Sequence, residues 1–147
     1  MGFLDSMNIS ASGMTAERLR MDVIANNLAN VNTTHTPQGG PFRRQIVSFA
    51  PAGSSFSDTL ASLTGGGSGK AGGVVVQSIT ADPSPFKRLY EPGHPDADRQ
   101  GYVSLPNIDT VTEMVDMMGA TRAYEADVTA VNAVKAMAMK ALEIGRA

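Results

Sequence analysis

The sequence has no cysteine and few charged or aromatic residues, and each shortage excludes a class of function. Among 147 residues there are 0 cysteines, so the chain can form no disulfide, no thiolate metal site and no thiol nucleophile. Charged residues make up 18% and the formal net charge is −2, which leaves no basic surface for nucleic acid. Aromatic residues are 5% against a hydrophobic fraction of 42%. Alanine and methionine carry much of that fraction, which is typical of long packed helices.

Long hydrophobic runs are also missing. No stretch approaches the ~18 uninterrupted apolar residues of a membrane-spanning helix, so we predict no direct membrane span. The first residues, MGFLDSMN, contain neither a basic segment nor a continuous apolar one. We therefore expect no cleavable secretory signal.

The last forty or so residues, 107–146, predict one long helix. One face carries apolar or small residues at steps of three or four, which is the helical period; they are Met114, Met117, Thr121, Tyr124, Val128, Val131, Val134, Ala138 and Ala141. Thr110 and Glu113 fit a capping box at its start, with Asn107 as an alternative N-cap. Such a helix would be roughly 50 Å long. Since an isolated helix of this kind is marginally stable, its apolar face requires a second long helix as a partner.

Residues from about Ser6 to Val31 predict that second helix. One apolar stripe consists of Met14, Met21, Ile24, Leu28 and Val31, and a neighbouring stripe of Ala16, Leu19 and Val23. Gly13 permits close approach of another helix, at some cost in helicity. Asn27 flanks the first stripe, where a polar group can fix register. Ordinary helix termination is the alternative role for the asparagine cluster, and Asn30 and Asn32 are candidate C-caps in the left-handed conformation.

Between the helices the sequence predicts a small β-rich module. A strand is expected over 42–49, with Phe42 and Ile46 facing inward and Arg43 and Gln45 outward; Arg44 does not fit that alternation. Further strands are expected over 74–79, 86–90 and 101–105. Residues 53–73 are rich in glycine and small residues, typical of a flexible linker.

These elements predict an α+β fold in which long N- and C-terminal helices pair as a coiled coil beside a small β-rich central module. The expected divisions are an N-terminal helical segment over 1–34, the central module over 35–106 and the C-terminal helix over 107–147.

No cluster of residues predicts catalysis. Residues 64–70 superficially resemble a phosphate-binding loop, but Thr64 and Ala71 replace required residues. Residues 96–101 resemble half of a calcium loop, but Gln100 stands where Asp or Asn belongs and Asn107 stands where the bidentate Glu belongs, so a polar turn is the better interpretation. His35 and His94 lie in separate proline-rich turns. The carboxylates of the long helix are expected on or near its exposed face, either solvated or paired with a neighbouring subunit; they are Glu113, Asp116, Glu125 and Asp127. We predict no enzyme activity, no catalytic residue, no metal and no cofactor.

The segment from Ser12 to Thr33 resembles the N-terminal signature of the bacterial flagellar axial proteins, the rod and hook family. The run Asn27-Leu-Ala-Asn-Val-Asn-Thr33 is its most specific part. Residues 82–98, 101–103, 105–109 and 112–117 resemble the proximal-rod members of the family, and 121–126 resembles its C-terminal signature. The resemblance covers nearly the whole chain and is weakest over 53–73.

This resemblance implies a structural subunit of the flagellar basal-body rod, the drive shaft of motility that crosses the periplasmic space and transmits torque. Its partners would be copies of itself, other rod proteins and the flagellar type III export apparatus, in a helical assembly. The expected assembly interface consists of Met14, Met21, Ile24, Asn27, Leu28, Val31, Met114, Met117, Tyr124, Val128, Val131 and Val134. Another axial protein of the rod or hook is the first alternative, and a small nucleotide- or calcium-binding module with helical extensions is the second.

Overall fold

A computed structural model of the chain describes residues 3–52 and 72–145. In chain order its elements are helix α1 (Phe3–Ala29), strands β1 (Gln45–Pro51), β2 (Val74–Ala81), β3 (Lys87–Tyr90) and β4 (Tyr102–Leu105), and helix α2 (Thr110–Ile144). The expected α+β architecture, two long terminal helices that pack together and a small set of central antiparallel strands, is confirmed. The glycine-rich segment and the loop-like residues 64–70 fall almost entirely outside the described residues.

The fold divides into two compact units, and each long helix contributes one segment to each. One unit draws on the described residues up to Leu19, on those between Phe49 and Gln77, and on those from Ala120 onward. The other consists of residues 20–48 and 78–119. The apolar side chains that are buried are few and mostly small or aliphatic; among the described residues they are Ala16, Val23, Ile24, Val103, Ile108 and Ala120.

The strands form two separate two-stranded sheets, β1 with β2 and β3 with β4. The β3–β4 pair is antiparallel, with Lys87 opposite Leu105 and Tyr90 opposite Tyr102. The rings of Tyr90 and Tyr102 meet edge to face at 5.3 Å between centroids. All four strands lie close to their expected positions because short apolar runs were bounded by proline and glycine turns.

Both helix ends differ from the sequence-based prediction in their capping residues. Asp109 caps α2, since its Oδ1 accepts hydrogen bonds from the amides of Val111 at 2.9 Å and Thr112 at 3.2 Å. The capping roles predicted for Thr110 and Asn107 are therefore wrong. Asn107 instead accepts the amide of Arg44.

The left-handed C-caps expected at the end of α1 are also wrong. Among the described residues no residue other than glycine has a positive φ, so neither Asn30 nor Asn32 adopts that conformation. The side-chain amide of Asn30 donates to the carbonyl of Asn26 at 2.9 Å and to its Oδ1 at 2.8 Å. The helix is closed by this side-chain contact, because an asparagine amide can satisfy a terminal carbonyl directly.

The orientations predicted for Gln45 and Ile46 in β1 are wrong. Gln45 and Val47 are half-buried, while Ile46 is 37% and Phe49 36% exposed. The cause is a contact that the residues of the strand alone could not predict. The side chain of Asn27, in α1, hydrogen-bonds to the main chain of Gln45. That contact sets how the strand lies against α1, and it overrides the preference of Ile46 for burial.

Candidate assembly site

The two long helices pack together, and contacts between them include Gly13 with Asp127 and Asn27 with Glu113. At one position Gly13 of α1 faces Asp127 of α2, and a Cβ built on Gly13 would lie 2.5 Å from Asp127 Oδ2. The close approach predicted for Gly13 is therefore confirmed. Asp127 is half-buried there, so its expected place on an exposed face is wrong, whereas Glu125 is exposed as predicted.

The twelve predicted interface residues fall into three groups by exposure. Ile24 and Asn27 are buried, at 6% and 1% exposure. Met114 is 55% exposed. The remaining nine are half-buried, namely Met14, Met21, Leu28, Val31, Met117, Tyr124, Val128, Val131 and Val134. Within one chain, the stripes are thus only partly covered.

Asn27 is the centre of a polar junction between α1, β1 and α2. Its Nδ2 donates to the carbonyl of Gln45 at 2.9 Å, and its Oδ1 accepts the amide of Gln45 at 2.9 Å. The same Nδ2 donates to Glu113 Oε2 at 3.0 Å. Because the Asn27 amide both donates to and accepts from the main chain of Gln45, a shift of β1 along α1 would break both bonds. Asn27 thus fixes how β1 lies against α1, while the role predicted for it in the register of the packed helices stays a prediction.

Glu113 is the second member of this junction, and its predicted exposed position is wrong. It is 1% exposed, and its Oε1 accepts a bond from Arg44 Nε at 2.5 Å. A buried carboxylate requires such pairing, since an unpaired charge is strongly disfavoured away from water. Sequence reasoning missed this pair although both members carried a signal. Arg44 did not fit the strand alternation, and Glu113 precedes Met117 of the apolar stripe by one helical turn.

Arg44 joins three carboxylates in one network. Besides Glu113 it contacts Asp116 Oδ2 at 3.3 Å and Asp82 Oδ2 at 3.7 Å. Partial burial by itself would lower the pKa of Arg44, but its hydrogen bond to Glu113 and the three carboxylate charges raise that pKa above its ordinary value. The guanidinium therefore stays charged and ties the start of β1 to α2 and to the end of β2.

The residues just before α2 extend the junction to the strands. Asn107 Oδ1 accepts the amide of Arg44 at 3.0 Å. Lys87 Nζ, at the start of β3, donates to the carbonyl of Ile108 at 2.6 Å, and Ile108 is 2% exposed. The start of α2 is thus held by main-chain and side-chain bonds to both sheets.

The aspartate-rich loop after β3 is built as a turn. Asp98 Oδ1 accepts the amides of Gln100 at 2.8 Å and Tyr102 at 2.9 Å, and the Tyr102 amide is the main cause of the lowered pKa of Asp98. Thr34 Oγ1 donates to Asp96 Oδ2 at 2.7 Å and connects this turn to the chain after α1. The carboxylates are thus used by the protein's own donors. Over residues 3–52 and 72–145, no group of three or more histidine, cysteine or acidic side chains could hold a metal ion.

None of the helices in the described part of the chain is long and apolar enough to cross a membrane.

Comparison with known families matches the two ends of the chain, where the helices lie. Residues 7–34 match the family model of the flagella basal body rod protein. Residues 99–144 match the model of the C-terminal region of the flagellar basal body rod FlgEFG proteins. The two matches include Asn27 and Glu113, which meet in the polar junction.

Relatives with curated names match almost the whole chain. The flagellar basal-body rod protein FlgC of Bacillus subtilis (strain 168) is 50% identical over 145 residues, which cover 96% of this chain and 97% of the relative. The protein of that name from Borreliella burgdorferi is 48% identical, over 98% of each chain. That from Salmonella typhimurium (strain LT2) is 38% identical, over 99% of this chain and 100% of the relative. The chain therefore belongs to the FlgC family of flagellar basal-body rod proteins.

Proposed function

We propose that this chain, a structural subunit of the bacterial flagellar basal-body rod, assembles through its paired terminal helices. The observation that carries the proposal is the incomplete burial of the helix seam. Nine of the twelve predicted interface residues are only half-buried, and Met114 is 55% exposed. Apolar surface that one chain leaves uncovered gains free energy when a neighbour covers it, by about 25 cal/mol per Å².

The small core supports the same conclusion. Large apolar side chains remain exposed on both helices, including Leu4 at 70%, Val111 at 72% and Leu142 at 71%. Monomeric soluble proteins rarely present so much apolar surface, and such surface marks sites of protein contact. The helix pair is therefore a building unit whose burial is completed in the polymer.

The polar junction gives this unit a fixed geometry. Asn27, Glu113 and Arg44 allow one register between α1, β1 and α2, because a shift would leave a buried carboxylate without its guanidinium. A subunit that carries torque and axial load must not slide internally. The mechanism we propose is mechanical and involves no turnover. This network keeps each subunit rigid, and the packed helices transmit force between neighbouring subunits.

The subunit's neighbours in this proposal are copies of itself and other rod proteins. In this proposal the flagellar type III export apparatus delivers the subunit to the periplasmic section of the drive shaft, near its proximal end. We keep the division into segments 1–34, 35–106 and 107–147 as a description of these roles, with the helical ends building the rod and the central strands bracing them.

Charged substitutions in the seam test the proposal. Leu28→Asp and Val128→Asp each place a carboxylate at a half-buried apolar position, which costs several kcal/mol on burial. Ala29→Asp and Ala130→Asp are matched controls, because they introduce the same side chain at exposed positions next to or near the seam residues.

The measurements are soft-agar motility and purification of basal bodies from cells that make each variant as the sole copy. We expect both seam variants to accumulate without rods and both controls to build rods. Intact rods in either seam variant would refute assembly through the paired helices.

A further inference from the structure

Asp127 is a half-buried carboxylate that binds no partner within the described part of the chain. It lies in the middle of α2 against Gly13 of α1, and both residues belong to the same compact unit. Among the described residues, no side chain or amide forms a hydrogen bond or an ion pair with it. Glu113 and Asp109 of the same helix differ in this respect, since the first is bound by Arg44 and the second by main-chain amides. The oxygens of Asp127 are therefore available to a donor from another molecule.

Assembly would bury this carboxylate further. Tyr124, Val128 and Val131 lie within four positions of Asp127 and are half-buried, and the proposed function has a neighbouring subunit cover them. Such a neighbour also removes water from Asp127. A carboxylate that loses water without gaining a cation or hydrogen-bond donors is strongly disfavoured. The surface that covers Asp127 is therefore one that carries a cation.

Arg122 is an exposed cation that likewise binds no partner among the described residues. Three of its neighbours on the helix surface are exposed and uncharged, namely Met118, Gly119 and Ala126. Glu125 is the one carboxylate three or four positions away, and in the described structure it forms no ion pair with Arg122. A guanidinium in this setting can extend to a carboxylate of another molecule and bind it through two parallel hydrogen bonds.

Arg122 and Asp127 cannot bind each other within one chain. They are five positions apart in the continuous helix α2, which places them roughly 140° apart around its axis. Asp127 is on the side that contacts α1, whereas Arg122 is exposed on another side. A contact between the two residues therefore has to join two molecules.

We propose that the guanidinium of Arg122 in one copy binds the carboxylate of Asp127 in a neighbouring copy. This inference rests on the proposed function and names one contact within that assembly. Charge complementarity selects the occupant, because the two residues carry opposite charges and neither has a partner in the described part of its own chain. Each copy donates through one side of α2 and accepts through another. Such a heterologous contact propagates from copy to copy instead of closing as a dimer.

Charge reversal in cells tests this contact. Arg122→Glu and Asp127→Lys each place like charges opposite each other, whereas the double variant restores opposite charges in exchanged positions. Each variant is made as the sole copy, and basal bodies with complete rods are counted. We expect each single variant to lower that number by about tenfold or more, because like charges at an interface are strongly disfavoured. The double variant should restore it to within about twofold of the unaltered chain, since the two changes are coupled.

Arg18→Glu combined with Asp127→Lys is the matched control. Arg18 is a second exposed arginine of the same compact unit, on α1, so this combination has the same net charge as the restoring one. It should leave the rods absent. The proposal is overturned if Arg122→Glu does not rescue Asp127→Lys, if Arg18→Glu rescues it equally well, or if either single reversal builds normal rods.

Asp127→Asn separates assembly from folding, because the amide keeps the shape of the carboxylate and removes its charge. The thermal midpoint of the purified chain should change by less than about 3 °C, while rods become fewer. A larger fall of the midpoint would show that the carboxylate is used within its own chain and would overturn the proposal. Failure of the double reversal in cells where Leu28→Asp and Val128→Asp abolish rods overturns this contact alone. Rods that survive those two substitutions would instead refute the proposed function.

Discussion

Removal of the Glu113 side chain should destabilise the subunit more than any neighbouring charge deletion. Glu113→Ala leaves Arg44 without its shortest partner, at 2.5 Å, and leaves the Asn27 amide without one of its two acceptors. Glu113 is 1% exposed, so water cannot replace the lost bonds without opening the junction. We therefore expect both the helix seam and the start of β1 to loosen.

The expected loss follows from the burial of the two partners. Removing one partner of a buried ion pair costs about 3–5 kcal/mol. Arg44 is 24% exposed and keeps Asp116 at 3.3 Å and Asp82 at 3.7 Å, which reduces the loss to about 2–4 kcal/mol. At about 4 °C per kcal/mol, the midpoint of thermal unfolding should fall by roughly 8–16 °C.

The measurement is unfolding of the purified chain by urea and by heat, followed by circular dichroism of the helices. Asp116→Ala is the matched control, because it removes a carboxylate from the same guanidinium at a side chain that is 37% exposed. Its loss should be at most about 1 kcal/mol. Equal losses in the two variants, or a loss below about 1 kcal/mol for Glu113→Ala, would refute the reasoning that burial makes this pair essential.

Two further predictions concern the N-cap of α2 and two glycines. Hydrogen bonds from the amides of Thr112 and Val111 lower the pKa of Asp109 below 3.8, so its stabilising contribution is present above 3.8 and is lost as pH falls through the lowered value. Asp109→Asn keeps a side-chain oxygen that accepts these bonds but does not titrate. The midpoints of thermal unfolding of this variant and of the unaltered chain, measured across pH, should therefore converge in acid. A difference that stays constant with pH would contradict this prediction. Gly13→Ala should change stability by less than about 1 kcal/mol, since helicity gain offsets displacement of a flexible carboxylate. Gly73→Ala should lower the free energy of unfolding by about 1–3 kcal/mol, because its Cβ would overlap Ser12, whose hydroxyl accepts the Val74 amide. Equal thermal midpoints for Gly13→Ala and Gly73→Ala would contradict this contrast.

Hydrophobic periodicity was sufficient to predict the long helices and the four strands. Those features depend on residues close in sequence, and α1, α2 and β2 to β4 lie within a few residues of their expected positions. Resemblance to the axial family supplied the pairing of the helices, and the relatives confirmed the family. Gly13 is a case in which a local observation, a small residue inside a helix, correctly indicated a close contact.

The junction could not be assembled from local patterns because its members are far apart in the chain. Glu113 looked like an exposed helix carboxylate, and Arg44 looked like an exception in a strand. The two residues, 69 positions apart, bind each other, and this contact accounts for the unexpected place of both. The caps were wrong for a related reason: Asn107 is engaged by the Arg44 amide, so Asp109 takes the role that sequence rules gave to its neighbours.

The two hydrogen bonds of the Asn27 amide imply an order of folding. Asn27 and Gln45 are separated by 18 residues, whereas Asn27 and Glu113 are separated by 86. Closing the longer loop costs about 1.4 kcal/mol more in chain entropy. The corner between α1 and β1 should therefore form early, and α2 should dock last on a surface that already presents Asn27 and Arg44. In a newly made subunit the polar junction would thus stay incomplete until α2 docks and Glu113 binds Asn27 and Arg44.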